Sequence, residues 1–390
     1  MKLPDLPGSS DPIVAEVRAA AGELRLAQRS RELDQNPAFP RGLFRELGTR
    51  RLLGLHTTSG WGGRGLDLPR VGAALFHLAY ASGTTFAKLS LQPEFSSVLA
   101  AHGSERLSER YYRPLVRGEI LVGNQVTEPG AGSDAAAVVL TARKVGDRYL
   151  LDGVKSEAAF AADADVAIVY ARTGAPGSGA SGVTALLVPQ DLPGIRRTVI
   201  GDLGERWMRR GKVEYDGVSV PEDHRIGDEG AAFGYLQSEL TQERALLAAI
   251  YLGVGRASWE ETVTHVGVRH AFGKPLSSQQ AVAFPLVEDW VRMESAWTFV
   301  HQTLERLERG EDASAESALA KWYSTECALT TIDHAIQFHG GAGYSQALPH
   351  EQRWRDVRSG AIAHGSNEIM HLVAARRLWP RKAGAVPADP

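Results

Sequence analysis

The chain has 390 residues, with 43 Lys plus Arg against 46 Asp plus Glu and a formal net charge of −3. That length exceeds what one core normally supports, so two or three domains are expected, and the balanced charge lacks the basic excess that neutralises nucleic-acid phosphates. Cys327 is the single cysteine, which excludes an intramolecular disulfide; no Cys/His cluster points to a metal site, and no run approaches the ~18 apolar residues of a membrane span.

Residues 1–121 read as helical, because "DPIVAEVRAAAGELRLAQRSREL", "FPRGLFRELGTRRLLGL" and "VGAALFHLAYASG" repeat apolar residues three and four apart between Gly- and Pro-rich turns. The opening stretch mixes charges and prolines without an apolar run of signal-peptide length, so a soluble protein of the reducing cytoplasm is expected. Residues 122–232 change to short β-type runs such as "ADVAIVYART" and "GKVEYDGVSVPEDHRI". Over residues 233–390 long helices return, beginning with "FGYLQSELTQERALLAAIYLGVGRASWEETVTHVGVR", long enough for a bundle, and the tail "PRKAGAVPADP" is expected to fray. The result is an α+β chain in α–β–α order. Alternating strands and helices with a glycine fingerprint are missing, so any nucleotide cofactor must be held other than by a Rossmann domain.

Three stretches can carry chemistry. In "GNQVTEPGAGSD", residues 123 to 134, Gly130 and Gly132 let the backbone present its N–H groups while Thr127 and Ser133 add hydroxyls, so the loop suits a polar ring edge or a phosphate. Alone, it reads equally as a solvated turn. The others are "RHAFGKPLSSQQ", residues 269 to 280, and "QFHGGAGYSQALPHEQRWRDVRSGAIAHGSNEI", residues 337 to 369.

Together, and in this order, they resemble the acyl-CoA dehydrogenase flavoproteins, which show T-E-P-x-A-G-S-D, R-x-x-F-G-x-x-L-x-x-x-Q and Q-x-x-G-G-x-G-[YF] segments, then an R-D pair and a Glu-Gly-Thr-type turn. The resemblance runs end to end. It implies an N-terminal helical domain, a central β domain and a C-terminal four-helix bundle, with FAD between the last two. It also implies that Val126, Thr127, Gly132 and Ser133 meet the flavin and pyrophosphate, Ser133 lying near substrate as well. Arg269, Phe272, Gln280, Gln337, Gly340 and Gly341 would meet the adenosine diphosphate half of an FAD held by a neighbouring subunit, which makes the protein a homotetramer or homodimer. Ser366 and Glu368 fall where the last turn touches the cofactor. Each has an ordinary alternative, Phe272 as core and Arg269 as a surface cation among them.

Two departures stand out. Where the family reads K-x-[WF]-I-T-N, this chain has Lys155, Ser156, Glu157, Ala158, Ala159 and Phe160. The aromatic and the hydroxyl beside the flavin are both lost in this register, leaving the N–H of Ala159 to serve N5, unless a one- or two-residue slip brings Phe160 into the aromatic's place. The second departure is His364, standing where most members carry the catalytic Glu before the Gly of the last turn. Isovaleryl- and long-chain-type members carry that base on the long helix instead, in an E-R dipeptide, and "LTQERALLAA" supplies Glu243 followed by Arg244.

Apart from the resemblance, Leu236, Leu240, Leu247, Ile250 and Val254 recur around Glu243 at helical spacings and put it on an apolar stripe, where burial raises a carboxyl pKa toward the range of a general base. The ordinary alternative is a Glu paired with a buried Arg or Lys. The expected enzyme is an FAD-dependent dehydrogenase of an acyl thioester on CoA or an acyl carrier protein. Glu243 takes the α-proton and flavin N5 the β-hydride; the flavin ribityl 2′-hydroxyl and the main chain near position 364 polarise the carbonyl. Arg244 and Gly365 line the substrate, His364 fills space, bonds Glu243 or acts as base, and Arg355 and Asp356 form ion pairs anchoring its turn. An electron-transfer flavoprotein or oxygen is the acceptor. A flavin monooxygenase or oxidase on the same scaffold, or a catalytically silent flavoprotein, remain the rival readings.

Overall fold

A computed structural model describes residues 5–175 and 177–379. The stretch from Pro380 onward, expected to fray, lies outside the described residues. The first layer comprises α1 (Pro12–Glu23), α2 (Leu26–Gln35), α3 (Arg41–Thr49), α4 (Leu68–Ser82), α5 (Thr84–Ser90), α6 (Ser97–His102), α7 (Glu105–Leu107) and α8 (Arg113–Val116). Its starts are written in the sequence: Asp11 accepts the N–H of Ile13 at 3.0 Å and Asp67 that of Arg70 at 2.9 Å, each followed by proline within the first two helical positions.

The middle layer comprises β1 (Val122–Gln125), β2 (Thr141–Val145), β3 (Arg148–Ala158), β4 (Val166–Arg172), β5 (Val183–Pro189), β6 (Ile195–Val199), β7 (Gly211–Pro221) and β8 (Arg225–Ile226), ordered β6-β7-β3-β2-β4-β5-β8 with β1 parallel to β4. Side chains alternate between two cores. On β4, Ala167, Val169 and Ala171 join a cluster internal to the sheet, while Val166, Ile168 and Tyr170 face the core shared with the helices. That second face positions the site.

The last layer holds α9 (Ala232–Val268), a small hairpin of β9 (His270–Ala271) and β10 (Lys274–Pro275), then α10 (Gln280–Glu308), α11 (Ser314–His339), α12 (His350–Arg358) and α13 (Asn367–Leu378). The long helix starts at Ala232, one residue before the expected boundary. Nearly every residue from Glu243 to Trp259 is buried, because α4, α10 and α11 all pack on α9. The apolar stripe inferred from sequence is therefore a full apolar surround. Gly253 lets α4 approach, since a Cβ there would sit 2.2 Å from the Phe76 carbonyl oxygen.

Candidate active site

Glu243 lies about three turns into α9 and is 4% exposed. Facing it is the turn before α13, which Ser366 caps by accepting the Ile369 N–H at 3.4 Å. His364 and Gly365 hold left-handed backbone, at φ of 56° and 91°. Two buried cations fix their carbonyls: Arg244 Nε donates to the His364 oxygen at 2.9 Å, and Lys321 Nζ, from α11, donates to the Gly365 oxygen. The turn so held brings His364 Nε2 to 3.4 Å from Glu243 Oε2, with Phe95 against the imidazole at 5.4 Å between centroids. Arg244, expected to line substrate, also supports the turn from beneath. Only its Nε is engaged there, and 4% of the residue is exposed.

The electrostatics set the two facing groups apart. Burial, then the neighbouring Glu239, push the Glu243 carboxyl well above its ordinary range. Burial and the cations of Lys88, Lys321 and Arg244 push the His364 imidazole down to about 3. The two shifts run in opposite senses: the imidazole is disfavoured as a cation, and the carboxyl holds a proton more readily than an exposed glutamate does. Glu239, one turn earlier on α9, is itself pushed up to about 8 by burial.

The Gly-rich loop is pinned from below. Lys155 and Glu128, both buried, pair at 2.8 Å; Lys155 Nζ also donates to the Val126 oxygen at 2.8 Å, and Glu128 accepts the N–H groups of Val139 and Leu140 at 2.6 and 3.0 Å. Ser156 N–H reaches the Thr127 oxygen at 2.9 Å. The loop's upper side is open: Gly132 and Ser133 are exposed, and no atom lies within 4 Å of where a Cβ on Gly130 or Gly132 would stand. A planar ring can approach that backbone, so the residues fit a flavin. Phe160 does not take the aromatic's place by a register slip. It is 3% exposed, donates its N–H to the Met208 oxygen at 2.9 Å, and packs edge-on against Phe39, 5.6 Å between centroids, with Trp207 at the same distance. A β-bulge between Lys155 and Ala158 leaves Glu157 exposed at φ 55° and Ala159 half-buried.

Asp356 forms no ion pair among the described residues, contrary to expectation. It is buried, accepts the Glu205 N–H at 2.6 Å, and is pushed up to about 8 by burial and Glu205. Arg355 does anchor, holding both oxygens of Asp34 at 2.9 and 2.7 Å. Lys88 pairs with Glu205 beneath the same turn, and Ser359 Oγ donates to Glu205 at 2.7 Å. Lys88, Lys321, Glu205 and Glu239 were not singled out from sequence. A lysine inside "ESALAKWYSTECALT" and a glutamate four residues before Glu243 were the signals for two of them.

Arg269, Phe272, Gln280, Gln337, Gly340 and Gly341 all lie exposed at the far ends of α9, α10 and α11. Arg269 is 26 residues beyond Glu243, roughly 39 Å along the helix. Glu368 is exposed on the first turn of α13, where the Ser366 side chain holds its carboxyl below the usual range.

A buried carboxyl beside an imidazole in the helical bundle, and an open glycine loop in the β domain, are the parts a flavin-dependent oxidoreductase needs. The chain matches family models described as the N-terminal, middle and C-terminal domains of acyl-CoA dehydrogenase over residues 11–119, 123–218 and 230–379. It is 32% identical to benzylmalonyl-CoA dehydrogenase of Aromatoleum aromaticum over 94% of this chain and 97% of that one. It is 30% identical to the 3-(aryl)acrylate reductase of Clostridium sporogenes over 89% and 92%. Among solved structures, the prolyl acyl carrier protein oxidase AnaB superposes with a TM-score of 0.89 at 26% identity, covering 94% of this chain and 98% of that one. PigA with FAD and proline also gives 0.89 at 26%, over 97% and 99%. The chain belongs to the acyl-CoA dehydrogenase family and is an FAD-dependent enzyme.

Proposed function

We propose that this enzyme dehydrogenates an acyl thioester between its α and β carbons, with Glu243 as the base that removes the α-proton. The observation that carries the reading is the placement of the Glu243 carboxyl, buried in α9 and 3.4 Å from the turn residue His364. The loop of Val126 to Ser133 would hold FAD, which would supply the hydride acceptor. Among the described residues the N–H of His364 donates to no acceptor, so it is available to the thioester carbonyl, where a main-chain donor acidifies the α-carbon. Lys321 and Arg244 keep that N–H in place by holding the turn's carbonyls. The imidazole of His364, at 3.4 Å, positions the Glu243 carboxyl.

The thioester handle is CoA or the phosphopantetheine arm of a carrier protein; AnaB, a prolyl acyl carrier protein oxidase, supports the second. Electrons leave to an electron-transfer flavoprotein or to oxygen, and the enzyme works in the cytoplasm. It is a homotetramer or homodimer. Phe272 is 97% exposed at φ 53° on the β9–β10 hairpin, and Phe284, Val287, Trp290 and Val291 form an exposed apolar stripe on α10, both of which suit a second subunit. Anaerobic titration of the FAD-loaded enzyme with acyl thioesters tests the reading: wild type bleaches, whereas Glu243→Gln keeps its flavin and does not. Normal bleaching of Glu243→Gln, with loss in His364→Ala, would move the base to the histidine.

A further inference from the structure

We propose that the acyl pocket takes a thioester whose chain ends in a protonated amine, with Glu239 as its carboxylate partner. The proposal rests on the thioester reading above and names the substrate class that reading leaves open. Glu239 and Glu243 are four residues apart on one face of α9, a separation of about 5–6 Å between their Cβ atoms. A chain whose α-carbon meets Glu243 therefore brings its fourth or fifth carbon beside Glu239.

Glu239 is 8% exposed and makes no ion pair among the described residues. Glu239 Oε1 accepts from Ser97 Oγ at 3.2 Å and from the Val98 N–H at 3.3 Å, and the Ser97 backbone also bears on the carboxyl. Holding the first turn of α6 does not require a charge, because a glutamine oxygen accepts the same two bonds. A carboxylate buried without a cation is costly, and its position beside the base makes it costlier still.

Two further buried polar atoms near this stretch of chain have no hydrogen-bond partner. Tyr170 points from the helix-facing side of β4, is 1% exposed, and its hydroxyl has no hydrogen-bond partner; Glu239 and Glu243 are the charges that bear on it. Asn124, level with Ile168 in the β1–β4 register, spends its Nδ2 on the Phe95 oxygen and leaves Oδ1 buried without a donor. Residue 95 is two short of Ser97, which bonds Glu239, so the asparagine and the glutamate converge on one stretch of chain. Glu239 and Asn124 Oδ1 are acceptors, and the Tyr170 hydroxyl offers one proton between them. An alkylammonium, with three N–H donors and a positive charge, supplies further donors and a counter-charge, and a methyl terminus supplies neither.

The test uses FAD-loaded Glu243→Gln protein, which binds without turnover, titrated with phosphopantetheine thioesters of 5-aminopentanoate and of its isostere hexanoate, followed by flavin absorbance and calorimetry. The aminopentanoyl thioester is expected to bind at least about tenfold more tightly, equivalent to about 1.4 kcal/mol. Adding Glu239→Gln, which keeps the α6 contacts, is expected to abolish that preference. Equal or tighter binding of the hexanoyl thioester overturns the inference, as does a preference that survives Glu239→Gln. If hexanoyl thioester binds and is dehydrogenated by wild type with no advantage to the amine, this inference alone fails. If neither thioester binds, it falls together with the thioester reading.

Discussion

Replacing Lys155 by methionine tests whether the flavin loop is organised by the ion pair beneath it. Lys155 is fully buried and Glu128 is 4% exposed; removing one partner of such a pair generally costs about 3–5 kcal/mol, because the other charge is left behind. Glu128 keeps the N–H groups of Val139 and Leu140, which brings the expected cost to the lower end, about 3 kcal/mol. The Val126 oxygen also loses its ammonium donor, adding about 1 kcal/mol. Since both partners act on residues 126 to 139, the loss falls on the loop's order and is met again when FAD binds. FAD affinity of the apoprotein, read by flavin fluorescence, should weaken by roughly a hundredfold, the equivalent of about 2.7 kcal/mol. The double replacement Lys155→Met/Glu128→Gln leaves no buried charge unpaired and should recover most of the loss. Wild-type FAD affinity and an unchanged urea midpoint in Lys155→Met would refute the reasoning, as would a double variant worse than the two singles together.

Other expectations follow from the same electrostatics and surfaces. Glu243 must be ionised to accept a proton and is held above its ordinary range, so the rate of flavin bleaching should climb with pH; Glu239→Gln removes the neighbouring repulsion and should move that rising limb to lower pH. A stopped-flow profile that does not move would show that the two carboxyls do not sense each other. His350, 1% exposed with neither ring nitrogen bonded, is pushed from 6.5 down to about 4 by burial and by Arg353. Its folded value lies below its unfolded one, so it contributes stability above 6.5 that is lost as pH falls through 4, a loss of about 3 kcal/mol. His350→Phe should flatten the acid limb of a melting-temperature profile, and an unchanged limb would count against it. Phe272→Asp should weaken both self-association and FAD affinity in sedimentation and flavin titrations; loss of neither would leave the hairpin an ordinary surface loop.

Much of the architecture was legible because its signals are local. Asp11 before Pro12 and Asp67 before Leu68 and Pro69 start helices through their own side chains, and the alternation on β4 separates two cores by period alone. Phe160 shows the limit. An aromatic one residue beyond Ala159 looks available by register, yet the bulge after Lys155 and the pull of Phe39 and Trp207 turn it into the core. Asp356 shows another, since the polarity of "RWRD" implies ion pairs, whereas the backbone of Glu205, 151 positions away in sequence, claims its oxygen.

The order of the three layers, the glycine loop and the carboxylate of Glu243 were fixed by residue type and spacing, quantities a linear chain carries in itself. The fold alone decided that His364 faces Glu243, that burial together with Lys88, Lys321 and Arg244 pushes its imidazole pKa down, and that Glu239 and Glu243 bear on Tyr170. Those charges come from separate helices and a strand, and a pKa depends on distances in space, which only packing sets.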